Sequence, residues 1–255
     1  VSDAHLCFAS FNIRTPLLLD GANRWSKRKG LVADVIRDVL QPDVIGLQEC
    51  TIEQATFLAD AMPKYDWVGV GRSDGRQRGE MVPIFYKRDR VEQLDACHFW
   101  LSTRPDQPGS RSWLSSFPRM VTWARFKASG KEFAFFNTHF DHISTRARRE
   151  SAKLLLERVT DVHADGATPC IVAGDFNDVP ASQPHEILTS TVLGDPAPED
   201  AAGTYHRFTG NATRRIDWLL ATSEWGELTY RLDTTSRDGR WPSDHHAITL
   251  EASLV

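Results

Sequence analysis

"IVAGDFNDVP" runs from Ile171 to Pro180, and its reading decides the fold. An apolar run meets a glycine and then delivers Asp175, Phe176 and Asn177. Along an extended chain, residues i and i+2 point to the same side. Asp175 and Asn177 therefore face one space at the strand's carboxyl end. A buried carboxylate is costly unless it is paired or bound to a metal, so this pair requires partners from elsewhere in the chain.

The same kind of ending recurs. "CFASFN" closes on Asn12, "DVIGLQE" on Glu49 and "FAFFNTH" on His139. "RRID" carries Asp217 into a strand, and "WPSDHHAITL" sets Asp244 and His245 just before the last one. Sites in α/β sheets gather beyond strand carboxyl ends. Asp217 and the Asp244–His245 pair enter instead at strand starts, as antiparallel strands would allow. Taken singly, a strand-terminal Asn or Asp caps a turn, and a lone histidine is a hydrogen-bonded core residue. Their recurrence in one chain points to a site.

Carboxylate and carboxamide oxygens suit a hard cation such as Mg²⁺, whereas zinc favours clustered His and Cys, absent here at ligand spacing. Such a cation polarises a phosphoryl oxygen and offsets charge on the leaving oxygen. A carboxylate beside a histidine orients and activates water. The set therefore suits metal-assisted attack of water on phosphorus.

The rest of the chain sets bounds. Its 255 residues, 41% hydrophobic and 25% charged, have no repeat or linker, so one domain over 1–255 is expected, acting as a monomer. No apolar run approaches the ~20 residues of a transmembrane segment. A net charge of −4 argues against a protein that coats nucleic acid. Cys7, Cys50, Cys97 and Cys170 lack CxxC spacing and read as buried free thiols, which fits a reducing, cytoplasmic setting slightly better. A removed signal peptide would leave the same start, so export stays open.

Apolar spacing predicts helices over 24–40, 52–61 and 144–163. Strands are expected over 6–13, in "DVIGLQE", "YDWVGV", "VPIFYK", "VEQLDACHFWL", "MVTWARFK" and "EFAFFNTHF", over 169–173, and in "RIDWLLA", "ELTYRLD" and "HAITLEASLV". The loop "GRSDGRQRGE" reads as fully exposed, and the stretch after Ala173 as a long irregular segment. Strands interleaved with few helices imply a layered α/β or α+β sandwich.

"FN" at 11–12, "LQE" at 47–49, "NTHFDH" at 137–142, "GDFN" at 174–177, "RRIDW" at 214–218 and "SDHH" at 243–246 together resemble the endonuclease/exonuclease/phosphatase superfamily. "GEMVPIFY", "TWARF" and "TYHRFTGN" resemble its bacterial branch of metal-dependent hydrolases related to the deadenylase-like members. The resemblance implies a four-layer α/β/β/α sandwich of two mixed sheets flanked by helices. It implies Mg²⁺, with Mn²⁺ able to substitute, held mainly by Glu49 with Asn12 and Asp244. Asp175 and Asn177 would position or deprotonate the attacking water and hold the phosphate. His245, oriented by Asp217, would contact the phosphate or act as base, and His139 would hydrogen-bond a phosphoryl oxygen. The proton acceptor is left open between Asp175 and the His245–Asp217 pair.

For substrate contacts the expectations are Arg78, Tyr86 and Arg148. The basic run Arg24, Lys27, Arg28 and Lys29 opposes a helix dipole and could serve an anion. Trp25, Trp113 and Trp241 could stack a base or sugar, with His142 and His206 at the rim. The expected activity is a phosphodiesterase rather than a monoesterase. Its substrate would be a phosphorylated small molecule, a phospholipid headgroup or single-stranded DNA or RNA. The contrasting reading is an inactive binding module with the same fold.

Overall fold

β1 (Ala4–Asn12) sends Leu6 and Phe8 to one side and Ala9 and Phe11 to the other, and both sides are buried. The computed structural model of the chain describes residues 4–163 and 168–254. β1 lies between β2 (Val44–Gln48), parallel to it, and β12 (Ala247–Leu254), antiparallel. β4 (Ile84–Lys87), β3 (Tyr65–Val68) and β11 (Trp225–Asp233) complete the first sheet, in the order β11-β12-β1-β2-β4-β3. The second sheet contains β5 (Glu92–Trp100), β6 (Met120–Ala128), β7 (Lys131–His139), β8 (Cys170–Asp175), β9 (Leu193–Gly194) and β10 (Asp217–Thr222). Its order is β5-β6-β7-β8-β10-β9.

Leu6, Phe8, Val44 and Leu250 of the first sheet meet Phe133, Phe135, Ile171 and Leu219 of the second in one core. The outer face of the first sheet is covered by α1 (Trp25–Asp34), which continues as a π-helical turn over Val35–Leu40, and by α2 (Ile52–Ala61). α3 (Thr145–His163) and α4 (Gln183–Leu188) cover the second sheet, packing on Phe136, Val172 and Trp218. The molecule is thus the expected four-layer sandwich.

Strand parity places the site. On the inner face, Leu6 and Phe8 of β1 give way to Ser10 and Asn12. On β7, Phe133 and Phe135 give way to Asn137 and His139, and on β8 Ile171 and Ala173 give way to Asp175. β7 and β8 are parallel with His139 opposite Asp175, while antiparallel β10 starts with Asp217 opposite the same Asp175. Carboxyl ends of four strands and starts of two others therefore share one rim, which accounts for Asp217 and Asp244–His245. Beneath it, Asn137 Nδ2 donates to the carbonyls of Leu47 (2.9 Å) and Pro83 (2.8 Å), and its Oδ1 accepts from Gln48 Nε2 at 2.7 Å. This link between sheets needs the bare backbone of Gly46, where a Cβ would stand 2.5 Å from Asn137 Cγ.

Several expectations change. The segment after β8 holds α4 and β9, too short for a periodic signal. Cys97 is exposed and Cys7 half-buried, because β5 is an edge strand and Cys7 lies close under Leu40; all four cysteines are free thiols. Arg28 is buried and binds the carbonyls of Ile13 (2.5 Å), Arg14 (2.6 Å) and Pro242 (3.0 Å), so it fastens backbone rather than an anion. Trp25 is buried edge-on to Phe57, and Trp241 packs on His206 and His246 as a loop anchor. Val255, assigned to the last strand, lies outside the described residues.

Asp141 joins two loops over the rim. Its carboxylate accepts from Ser116 N (2.8 Å) and Ser115 Oγ (3.1 Å) on the β5–β6 loop, and from Ile143 N (3.0 Å) and Ser144 N (2.7 Å) before α3. Burial opposes its charge, but the backbone donors of Ser144, Ser116 and Ile143 outweigh this and lower its pKa to about 2. Its contribution is therefore complete above 3.8, the unfolded value, and lost as pH falls through about 2. Asp141→Ala is expected to lower stability by about 2–4 kcal/mol in urea melts at neutral pH, with a smaller difference from wild type near pH ~2. Asn137→Ala should lose about 2–3 kcal/mol, since it strips partners from buried amide and carbonyl groups; a loss under about 0.5 kcal/mol would deny it the linking role.

Candidate active site

The chain bends sharply where strands reach the rim. Glu49 (φ 55°) and Asn177 (φ 52°) both adopt the left-handed conformation just beyond β2 and β8. Such a backbone is unfavourable for non-glycine residues and persists where surroundings over-determine it. The surroundings are visible: Asn177 N donates to Asp175 Oδ1 (2.9 Å), and Thr15 N donates to Glu49 Oε2 (3.0 Å).

Asp175 is the hub. Its Oδ2 accepts from Asn12 Nδ2 at 2.9 Å and lies 3.5 Å from His139 Nε2 and 3.8 Å from His245 Nε2. Asn12 Nδ2 also reaches Glu49 Oε1 at 3.2 Å, so one amide bridges two carboxylates. Asn177 Nδ2 stands 3.0 Å from His139 Nε2 and donates to the Phe140 carbonyl at 3.1 Å. Asp217 Oδ2 holds His245 Nδ1 at 2.8 Å, fully buried, leaving Nε2 directed at Asp175. Asp244 packs beside them, its Oδ2 3.6 Å from Arg14 Nη1, which also lies 4.0 Å from Glu49 Oε2. Eight of the sequence-predicted residues thus converge: Asn12, Glu49, His139, Asp175, Asn177, Asp217, Asp244 and His245.

The environments differ. Burial, then the charge of Asp217, pushes the Asp175 pKa up. Burial opposes charge on His245, but Asp217 outweighs it and holds the imidazole well above its ordinary value. Burial and the positive charges of Arg119 and Arg72 hold the His139 pKa well below its ordinary value. Glu49 is also desolvated, yet the Thr15 N–H, His245 and Arg14 hold it below the usual carboxylate value.

Glu49, His139 and Asp175 offer ligand atoms that all lie within 4.8 Å of one another, as do Asp175, Asp217 and His245. The oxygen donors match a hard divalent cation. The Arg14 guanidinium between Glu49 and Asp244 shows that this spot already attracts positive charge. Asn12 presents its nitrogen to the carboxylates, so ligation through Oδ1 requires the amide turned over.

These groups open into a cleft of about 390 Å³. Sequence reading missed Arg119 on one side of it. Arg119 is buried, with Nη2 3.2 Å from His142 Nδ1 and Nε without a partner. Arg72 pairs with Glu80 at 2.7 Å and lies 4.7 Å over the Phe117 ring. Arg72 and Glu80 belong to the loop expected to be wholly exposed; its two ends turn inward. The only sequence sign of Arg119 is a lone cation opening an apolar strand in "FPRMVTW". Tyr205 and Arg214 also line the cleft, as does His142, while His206 is buried against His246.

Three expected substrate contacts lie elsewhere. Arg78 is exposed at the tip of the 71–80 loop, where its backbone N–H donates to Asp74 Oδ1. Tyr86 points into the core between the sheets, its ring 5.1 Å from that of Phe126. Arg148 does face inward on α3, but it binds Asp178 (2.8 Å) and the Asp141 carbonyl (3.1 Å). Arg72 and Arg119, by contrast, line the cleft.

Fold, site and sequence agree on the class. The chain belongs to the endonuclease/exonuclease/phosphatase family, whose model matches residues 9–245. Family members are phosphoric ester hydrolases that depend on a divalent metal, and this chain is such a hydrolase. Among solved structures it is similar to the endonuclease/exonuclease/phosphatase from Bacteroides vulgatus, 34% identical over 99% of this chain and 100% of that one, TM-score 0.92. It is also similar to the Bacteroides thetaiotaomicron mannosyl-6-phosphatase, 33% identical over 97% and 99% of the two chains, TM-score 0.89. The human Nocturnin catalytic domain, 19% identical over 100% and 97%, TM-score 0.78, shares the fold. No curated protein matches the chain.

A buried guanidinium with so few partners is costly to the fold and favourable to an incoming anion. Arg119→Met is expected to keep or raise the melting temperature while KM for a phosphate ester rises ~tenfold or more. An unchanged KM would remove Arg119 from substrate binding.

Proposed function

We propose that the chain is a Mg²⁺-dependent phosphoesterase, with Mn²⁺ able to substitute, that hydrolyses a small phosphorylated substrate by in-line attack of water. One domain over 1–255 would carry the reaction. The observation that supports this reading is the Asp175 hub, which meets Asn12, His139 and His245 within 2.9–3.8 Å beside Glu49. Glu49, Asp244 and, with its amide turned, Asn12 would hold the cation. When bound, the cation polarises a phosphoryl oxygen and offsets charge on the leaving oxygen.

The chain's own groups divide the remaining work. Asp175 Oδ2 orients the water and accepts its proton, in a position where Asn177 fixes Oδ1 through its backbone N–H. His245, kept cationic by Asp217, presents Nε2–H to a phosphoryl oxygen. His139 and the Asn177 amide supply further contacts to the phosphoryl group, and Arg119 neutralises charge on its far side.

Charge favours a monoester. Four guanidiniums (Arg14, Arg72, Arg119, Arg214) line the cleft with four carboxylates (Glu49, Glu80, Asp175, Asp244). A divalent cation then leaves a surplus that matches a phosphate dianion better than the single charge of a diester. The similarity to a mannosyl-6-phosphatase supports a phosphorylated sugar as the first substrate to test. This moves the emphasis away from the diester that the sequence suggests.

The test compares mannose 6-phosphate, p-nitrophenyl phosphate, bis-p-nitrophenyl phosphate and single-stranded DNA, each with Mg²⁺, Mn²⁺ or EDTA. Metal-dependent turnover is expected, faster on the monoesters and abolished by EDTA. No metal-dependent turnover on any of them would favour the inactive binding module. Glu49→Ala should weaken metal affinity and be partly rescued by added Mg²⁺. His245→Ala should lose ~10²–10³-fold in turnover without such rescue.

A further inference from the structure

The described residues include nine large apolar side chains that are substantially exposed, and seven of them line the cleft or lie within three residues of one that does. Leu18 and Leu19 are 85% and 96% exposed, directly after Leu17, which lines the cleft. Leu114 and Phe117 lie on the β5–β6 loop, and Phe117 also lines the cleft. Ile143 follows cleft-lining His142, and Val179 comes two residues after cleft-lining Asn177. A soluble protein scatters single apolar residues over its surface, whereas a concentration on one rim marks a contact surface.

The same rim is basic. Arg111 Nη1 binds the Ser116 carbonyl at 2.9 Å, next to Phe117, and Arg207 lies 5.6 Å over the ring of cleft-lining Tyr205. Arg146 follows Ile143 by three residues in the first turn of α3, and Arg214 lines the cleft itself. All four are exposed, on a chain whose overall charge is −4. The nearby carboxylates Asp20 and Glu80 are already paired with Arg14 and Arg72.

We propose that the cleft mouth docks on a bilayer containing anionic phospholipid, so that the esters reaching the site are presented at a membrane surface. Aliphatic side chains beside arginines suit this partner: the leucines enter the acyl boundary while guanidiniums meet headgroup phosphates. A second copy of the chain would set arginine against arginine. Single-stranded nucleic acid would call for flat aromatic platforms, whereas six of the seven exposed apolar residues are aliphatic. The docking goes beyond the proposed reaction and does not depend on it; the presentation of esters to the site rests on that reaction.

The test is sedimentation with vesicles of phosphatidylcholine alone and of phosphatidylcholine mixed with phosphatidylglycerol. Wild type should sediment with the mixed vesicles and remain largely free of the neutral ones. Leu18→Glu/Leu19→Glu should weaken vesicle binding by at least about tenfold, while melting temperature and turnover of soluble p-nitrophenyl phosphate stay at wild-type level. No binding to mixed vesicles, equal binding to both kinds, or binding untouched by the double variant would overturn the proposal. So would a wild-type dimer, seen by light scattering, that the double variant makes monomeric. Vesicle binding without any esterase turnover would instead overturn the proposed reaction and leave the docking intact.

Discussion

Asp175 sits at the meeting of two sheets with its carboxylate buried, and the arrangement around it follows from that burden. A desolvated carboxylate survives by hydrogen bonds and opposite charge. Asn12 supplies the first from β1, His245 the second from the segment before β12, and Asn177 tightens the turn beneath. Because Asp217 is equally buried and directly opposite across the ladder, His245 has two carboxylates to serve. The site is a small set of charges that only a closed sandwich can hold so close together.

Alternation along the strands produces the closeness. One face of β1, β7 and β8 is apolar for its first half and polar for its second, so the core between the sheets turns from Phe8, Phe133 and Phe135 into Gln48, Asn137 and His139 within a few residues. The amide layer formed by Gln48 and Asn137 separates dry core from charged rim. It satisfies buried carbonyls while tying together the two sheets whose edges the site straddles. Catalytic geometry and sheet packing are thus one structure read at two depths.

Much of this was legible in sequence. The parity of "IVAGDFN" placed Asp175 on a strand end, and helix and strand periods located most elements. What escaped has physical reasons. α4 is shorter than a period-based reading can resolve. Polar composition made the 71–80 loop look wholly solvated, because sequence does not record that Arg72 and Glu80 neutralise each other on the way in. Arg148 and Tyr86 carried the right chemistry on the right elements, yet Asp178 and the core claimed them. Arg119 was invisible because a single arginine at a strand start is normally a surface residue; only tertiary closure buries it.

The central claim is that these separated groups form one divalent cation site beside Asp175. Anomalous diffraction from crystals soaked in Mn²⁺ tests it most directly. The account predicts one dominant peak about 2.1 Å from a Glu49 oxygen, between Asp175 and Asp244. A peak confined to other carboxylates, or none at full occupancy of the soak, would contradict it.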